Sequence, residues 1–161
     1  TQNGSKRKID VLVENIGRVN FGKEICDERK GLEYAILSSK AKLFGYETRT
    51  LPLNDLSKLE WSKEKNKGAR PCFFKGHFEA KSGIDTHVDF SKFGHGYIWI
   101  NGFNLGRYDS LGPQLTLYVP GGLLRERNNE IIVLDIDPIE KRNYISLLDH
   151  EILEGDAADL S

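Results

Sequence analysis

Four carboxylates stand close together near the start of the chain: Glu14, Glu24, Asp27 and Glu28. Hydrolysis of a glycosidic bond with retention needs two carboxylates about 5–5.5 Å apart across the sugar, and these residues could supply such a pair. Nothing in their spacing demands it. Glu14 ends an apolar alternation just before a glycine turn and reads as a structural hydrogen-bond acceptor. A second set, Asp85, His87 and Asp89, shares one face of an alternating run, as metal ligands on a strand would. The opposite face, Thr86, Val88 and Phe90, is the apolar one, so the acidic face is read as hydrated. His77, His95 and His150 have no ligand spacing. The third set is Trp99, Asn101, Asn104, Arg107 and Tyr108. An aromatic ring for the apolar face of a sugar, with amide and guanidinium groups for its hydroxyls, is the chemistry of carbohydrate recognition. The same residues also suit a packed interface beside a tight turn. The motifs GxSxG, GxxxxGK[ST] and HExxH are absent from the sequence.

Strands must position these residues. Ile9, Val11 and Val13 alternate with Asp10 and Glu14, the period of a half-buried strand. Further strand runs are Tyr34–Leu37, Lys42–Leu51, Pro71–Ala80, Asp85–Phe90, Tyr97–Asn101 and Phe103–Tyr108. Leu115, Leu117 and Val119 share a face, with Thr116 and Tyr118 opposite. Glu130–Asp137 is nearly all apolar, which suits a strand covered on both faces. Ile145–Leu153 is a weaker last strand. Asn101-Gly102 predicts a tight hairpin, because a type I′ turn needs positive φ at both central residues. Helical signal is confined to a short turn carrying Leu56 and Leu59 after Asn54-Asp55, and another at Gly121–Arg125. Alternation places Ile98, Ile100, Leu115, Leu117, Ile132 and Leu134 between two sheets and Trp99 on the outer face.

Composition excludes several classes. Lys and Arg number 23 against 24 Asp and Glu in 161 residues, so no overall charge draws the chain to nucleic acid or an acidic membrane. No apolar run approaches the roughly 18 residues of a membrane span. No signal peptide is visible at Thr1–Asp10. Cys26 and Cys72 form neither a disulfide framework nor a zinc spacing, and no metal or cofactor is expected. The absence of methionine marks the chain as a mature product or an excised piece. Residues 1–8 are read as linker or expression remnant, 9–153 as one domain and 154–161 as an acidic tail. Asn3-Gly4-Ser5 is a glycosylation sequon in that linker.

Longer motifs occur in a fixed order: VENIGRVNFG at Val13–Gly22, DERKGL at Asp27–Leu32, Leu51-Pro52-Leu53, FFKG at Phe73–Gly76 and Asp85-Thr86. They continue with GYIWINGFNLGRY at Gly96–Tyr108, GPQLTLYVP at Gly112–Pro120 and NEIIVL at Asn129–Leu134. From about Ile9 to Asp137 the chain resembles the C-terminal β-sandwich region of β-galactosidases of glycoside hydrolase family 35. The resemblance implies an all-β, galactose-binding-like jelly roll with little helix. It implies catalytic glutamates on a separate (β/α)8 barrel, which alone needs about 200–250 residues, and it puts Glu14 in a sandwich motif. The implied function is a non-catalytic domain of an enzyme that hydrolyses terminal β-D-galactosides. Its partner would be the catalytic barrel of the same parent chain, and the isolated chain would be inactive. An autonomous carbohydrate-binding module taking galactosides and a homodimeric assembly module are the alternatives. A sugar or inter-domain contact is assigned to Trp99, Asn101, Asn104, Arg107 and Tyr108. Two positions depart from the family pattern: Asp109 stands where Trp is common, and His87 where an apolar residue is common. Compartment, a cytoplasmic or secreted one, is not encoded in these residues.

Overall fold

The computed structural model describes residues 8–32, 34, 42–63, 71–137 and 144–153. The chain forms two compact units, Thr1–Leu51 and Pro52–Ser161, where the sequence reading draws one domain over 9–153.

All seven strands of the described residues lie in the second unit. They are β1 (Cys72–Phe78), β2 (Thr86–Asp89), β3 (His95–Ile100), β4 (Phe103–Asp109), β5 (Thr116–Val119), β6 (Asn129–Asp135) and β7 (Ser146–Leu148). They build two antiparallel sheets, ordered β1-β6-β3-β4 and β5-β2-β7. The expected all-β sandwich with little helix is thus what the chain adopts. Its helical content among described residues is two 3₁₀ turns, Lys23–Cys26 and Gly121–Leu123.

Alternation explains the core between the sheets. Ile98 and Ile100 of β3, Tyr108 of β4, and Ile131 and Val133 of β6 meet Val88 of β2 and Val119 of β5, with Phe90, Phe93 and Leu124 closing the cluster. Phe78, Leu117 and Leu147 pack at its margin. Two expected core residues face the other way. Ile132 and Leu134 lie on the outer side of the four-stranded sheet, in a second cluster with Trp99. The reason is register: Trp99 pairs with Ile132 and Tyr97 with Leu134, and directly paired residues share a face. β6 is buried on both faces, as its continuous apolar run predicts.

Gly96 shows why no larger residue can stand there. It pairs with Tyr108 on one side and Asp135 on the other. A Cβ at this position would collide with the Leu134 carbonyl and press on the Tyr108 hydroxyl.

The first unit differs. Ile9–Val13 and Lys42–Leu51, expected as strands, form none; Lys42 holds an isolated bridge. Most of the Tyr34–Leu37 run lies outside the described residues. The Val19 amide donates to Glu28 Oε2 at 2.9 Å, and Lys30 pairs with Glu28 at 3.2 Å. These contacts tie both ends of the loop around the first 3₁₀ turn.

Candidate functional site

The β3–β4 hairpin carries the strongest sequence candidates. Asn101 and Gly102 turn it with φ of 50° and 82°, the positive values that Asn and Gly tolerate best. A bulge then breaks the pairing: Ile98 faces Gly106 while Trp99 faces Asn104. Leu105 is the extra residue and turns toward the main core. Asn104 Oδ1 accepts the Gly106 amide at 2.8 Å, and Gly106 takes φ 125°. Asn104-Leu105-Gly106 is therefore a bulge inside β4, a common device for re-aiming side chains.

The five candidate residues do not form one surface. Tyr108 is 1% exposed and lies in the main core, its ring 5.1 Å from Phe90 and 6.1 Å from Phe93. Its hydroxyl donates to the Leu134 carbonyl at 3.1 Å. Burial, then the neighbouring Asp135, push the phenol above its ordinary pKa. Trp99 is 3% exposed on the opposite face, beside Phe73 and Tyr97 and within reach of Leu53 and Leu56. The cover expected from an outside partner comes instead from residues of its own unit.

Asn101 is consumed internally. Its Nδ2 donates to the Leu123 carbonyl at 2.7 Å and to Asn129 Oδ1 at 2.9 Å, and its Oδ1 accepts the Glu130 amide at 2.9 Å. Asn129, fully buried, exchanges hydrogen bonds with the Arg125 amide and carbonyl. This pair ties the hairpin to the start of β6, and no sequence pattern near Asn129 announced it.

Asn104 and Arg107 remain accessible. Arg107 donates to Asp109 Oδ2 at 2.8 Å across the same strand face. Burial raises the Asp109 carboxyl, but the Leu111 amide and Arg107 outweigh it and hold the group low. Asp109 thus meets the Arg107 guanidinium.

Asp85, His87 and Asp89 stand on the outer face of the three-stranded sheet without converging. Asp85 Oδ1 accepts the Gly121 amide at 2.8 Å, and Asp89 Oδ1 the Ser91 amide at 2.9 Å. The Gly121 amide and then the Tyr118 hydroxyl lower the Asp85 carboxyl. The His87 ring packs against Tyr118 at 5.7 Å. Among the described residues no group of three His, Cys, Asp or Glu could hold a metal ion. No described helix is long and apolar enough to cross a membrane.

One open groove of about 260 Å³ lies at an end of the sandwich. Ile84, Leu124 and Leu147 give it an apolar floor, and Glu79, Lys81 and Asp149 a polar rim. Sequence reading missed it because its residues come from four separate stretches.

Comparison with known proteins agrees with these two units. Residues 71–129 match a family model described as the galactose-binding domain of β-galactosidase. Residues 1–53 match one described as the first all-beta domain of β-galactosidase. A β-galactosidase of Xanthomonas manihotis is 38% identical, over 69% of this chain and 18% of its own length. Human β-galactosidase-1-like protein 3 is 35% identical over 80% of the chain and 21% of its own length. Arabidopsis thaliana β-galactosidase 17 is 31% identical over 88% and 23% respectively. The chain therefore spans about one fifth of the length of the relatives it matches. With one match in each unit, the chain corresponds to the galactose-binding and first all-beta domain regions of β-galactosidases, in keeping with a domain region of a glycoside hydrolase family 35 enzyme.

Proposed function

We propose that this chain serves a β-galactosidase as a non-catalytic β-sandwich part that packs on and orders a catalytic barrel in the same polypeptide. The observation that carries this reading is the pairing of two accessory-domain matches with coverage of only 18–23% of the relatives' length. The parent would cleave terminal β-galactosides by the two-carboxylate route. In this reading Asn104 and Arg107, the accessible candidates of the hairpin, would meet that partner. The Arg107–Asp109 pair offers a fixed fork of donors with a carboxylate beside it.

The purified chain should not turn over a chromogenic β-galactoside, while the parent polypeptide should. Turnover by the 161-residue chain that disappears in Glu14→Gln would overturn the reading.

A carbohydrate-binding role is the second reading, favoured by the groove with its apolar floor and charged rim. Titration with methyl β-galactoside should then shift amides of Ile84 and Leu124. Shifts confined to the β3–β4 hairpin would move the site to Asn104 and Arg107.

A further inference from the structure

Asn101-Gly102 turns the β3–β4 hairpin, and the same dipeptide carries a reactivity of its own. An asparagine side-chain amide is open to attack by the backbone nitrogen of the next residue. Glycine hinders that attack least, because it has no Cβ. Among the described residues Asn101 is the asparagine that glycine follows; Asn3-Gly4 is the same dipeptide outside them. Gly102 is exposed, and a Cβ built on it would meet nothing within 4 Å. The attacking nitrogen therefore stands in an open turn.

The fold restrains the other reactant. Asn101 Nδ2 spends both hydrogens, on the Leu123 carbonyl at 2.7 Å and on Asn129 Oδ1 at 2.9 Å. Its Oδ1 accepts the Glu130 amide at 2.9 Å. The Glu130 N–H by itself would draw charge onto Oδ1 and favour attack. The bonds at Nδ2 oppose it, because they hold the amide planar and keep the leaving nitrogen in place. Attack makes Cγ tetrahedral, which takes Oδ1 and Nδ2 out of the plane in which these bonds are made. Asn129 is fully buried and is itself fixed by the Arg125 amide and carbonyl, so it cannot follow. Residues 125–128, between these partners, are exposed, and such a segment opens at lower cost than a packed strand.

We infer that Asn101 is a conditional modification site, shielded while the hairpin is clasped to Leu123 and Asn129 and converted to an acid when that clasp opens. The Gly102 nitrogen gives its proton to hydroxide or another base and bonds to Cγ. The Cγ–Nδ2 bond breaks, and Nδ2 takes up a proton and departs as ammonia. Water then adds to one of the two carbonyls of the cyclic imide, breaking its C–N bond and leaving aspartate or isoaspartate. Nothing is oxidised or reduced. The acid cannot be clasped again: a carboxylate brings no hydrogen to the Leu123 carbonyl or to Asn129 Oδ1. Isoaspartate also adds a carbon to the main chain of the turn. Each opening that reacts is therefore kept, and the converted fraction records how often the hairpin has opened.

The 161-residue chain, held at mildly alkaline pH and digested at intervals for mass spectrometry, tests this. In concentrated urea the Asn101 and Asn3 peptides should both gain the mass of an amide-to-acid change, and Gly102→Ala should slow the first alone. In native buffer Asn101 should convert about a hundredfold more slowly than in urea. Urea below the unfolding transition should speed it, with β3 and β6 still protected from hydrogen exchange. Chain converted at Asn101, in an Asn3→Gln background, should unfold at lower urea than unconverted chain. Absence of conversion in urea, or conversion in native buffer as fast as in urea or faster, would overturn the inference. So would conversion that speeds only when β3 and β6 lose protection, which would tie it to global unfolding. An unchanged urea midpoint after conversion would also overturn it, since the clasp would then have re-formed.

Discussion

The two units carry the same kind of alternation and meet opposite fates. In the second, Ile98 and Ile100 on β3 are fully buried, because a second sheet brings Val88 and Val119 to meet them. In the first, Ile9, Val11 and Val13 follow the same period, yet stay more than half exposed. Alternation therefore specifies which face of a strand is apolar, not whether that face is buried. Burial needs a second layer, and a strand keeps its form only when neighbours satisfy its backbone.

The sharpest way to break this contrast is a matched pair of substitutions in the 161-residue chain. Ile100→Ala should destabilise it by about 2–5 kcal/mol, the usual cost of emptying a filled core site. Val11→Ala should cost less than about 0.5 kcal/mol, as at a surface site. Urea unfolding followed by tryptophan fluorescence reads the Ile100 substitution, since Trp99 sits in the folded second unit, and hydrogen exchange resolved by residue reads both units. Equal losses, each in its own unit, would mean that the first unit has a core of its own.

A smaller effect concerns how the hairpin is held. Asn101→Ala removes the partner of the Glu130 amide, strands the Leu123 carbonyl and takes one of two donors from Asn129 Oδ1. The expected loss is about 1–3 kcal/mol, the cost of leaving a buried polar group unpaired. Asn101→Asp, which keeps an acceptor for the Glu130 amide but turns a carboxylate oxygen on the Leu123 carbonyl and Asn129 Oδ1, should cost at least as much as Ala. If Asn101→Ala unfolds at the wild-type urea midpoint, the amide pair does not hold the hairpin to β6.

The smallest effect distinguishes the units by sign. Asp135 is buried on β6 with Oδ1 lacking a hydrogen-bond partner. Burial raises its carboxyl, against the opposing Tyr108 hydroxyl, His95 ring and Gly94 amide. Its contribution to stability is full below the ordinary carboxylate pKa and is lost as pH rises through the raised folded value. Glu28 runs the other way. The Val19 amide lowers its carboxyl, so its contribution is present above the ordinary value and is lost as pH falls through the lowered one. Mild acidification from neutral should therefore firm the second unit and then, further down, release the Val19 amide from Glu28. Asp135→Asn should remove the first dependence in thermal unfolding, and Glu28→Gln the second in the Val19 amide shift. A Val19 shift that titrates together with Asp135 would contradict two separate sites.

Local signals in the sequence were read well. The Asn101-Gly102 turn is legible because its requirement, positive φ at adjacent residues, is met by those residue types alone. The burial of β6 on both faces is legible because its run is apolar at nearly every position. The 3₁₀ turn after Pro120 is legible for the same local reason. Trp99 and Tyr108 show where this stops. Their residue types suit a binding surface, but Trp99 is covered by Leu53 and Leu56, more than forty positions away, and Tyr108 is drawn into the main core. Thr116, expected to face outward, is buried because the chain near Ile152 returns over it and donates its amide to the Thr116 hydroxyl.

By itself, then, the sequence determined the period, the turns, the strand-forming segments of the second unit and the family. Each of these depends on residue type and near neighbours, which one-dimensional order records directly. The tertiary structure alone decided the sheet order β1-β6-β3-β4, the outward placement of Ile132 and Leu134, and the internal roles of Asn101 and Trp99. It also decided that Ile9–Val13 finds no strand partner among the described residues. The physical reason is common to all of them. Which face is covered, and which polar group is paired, depends on segments that meet only after folding, and the free energy of a strand belongs to the pair rather than to the strand.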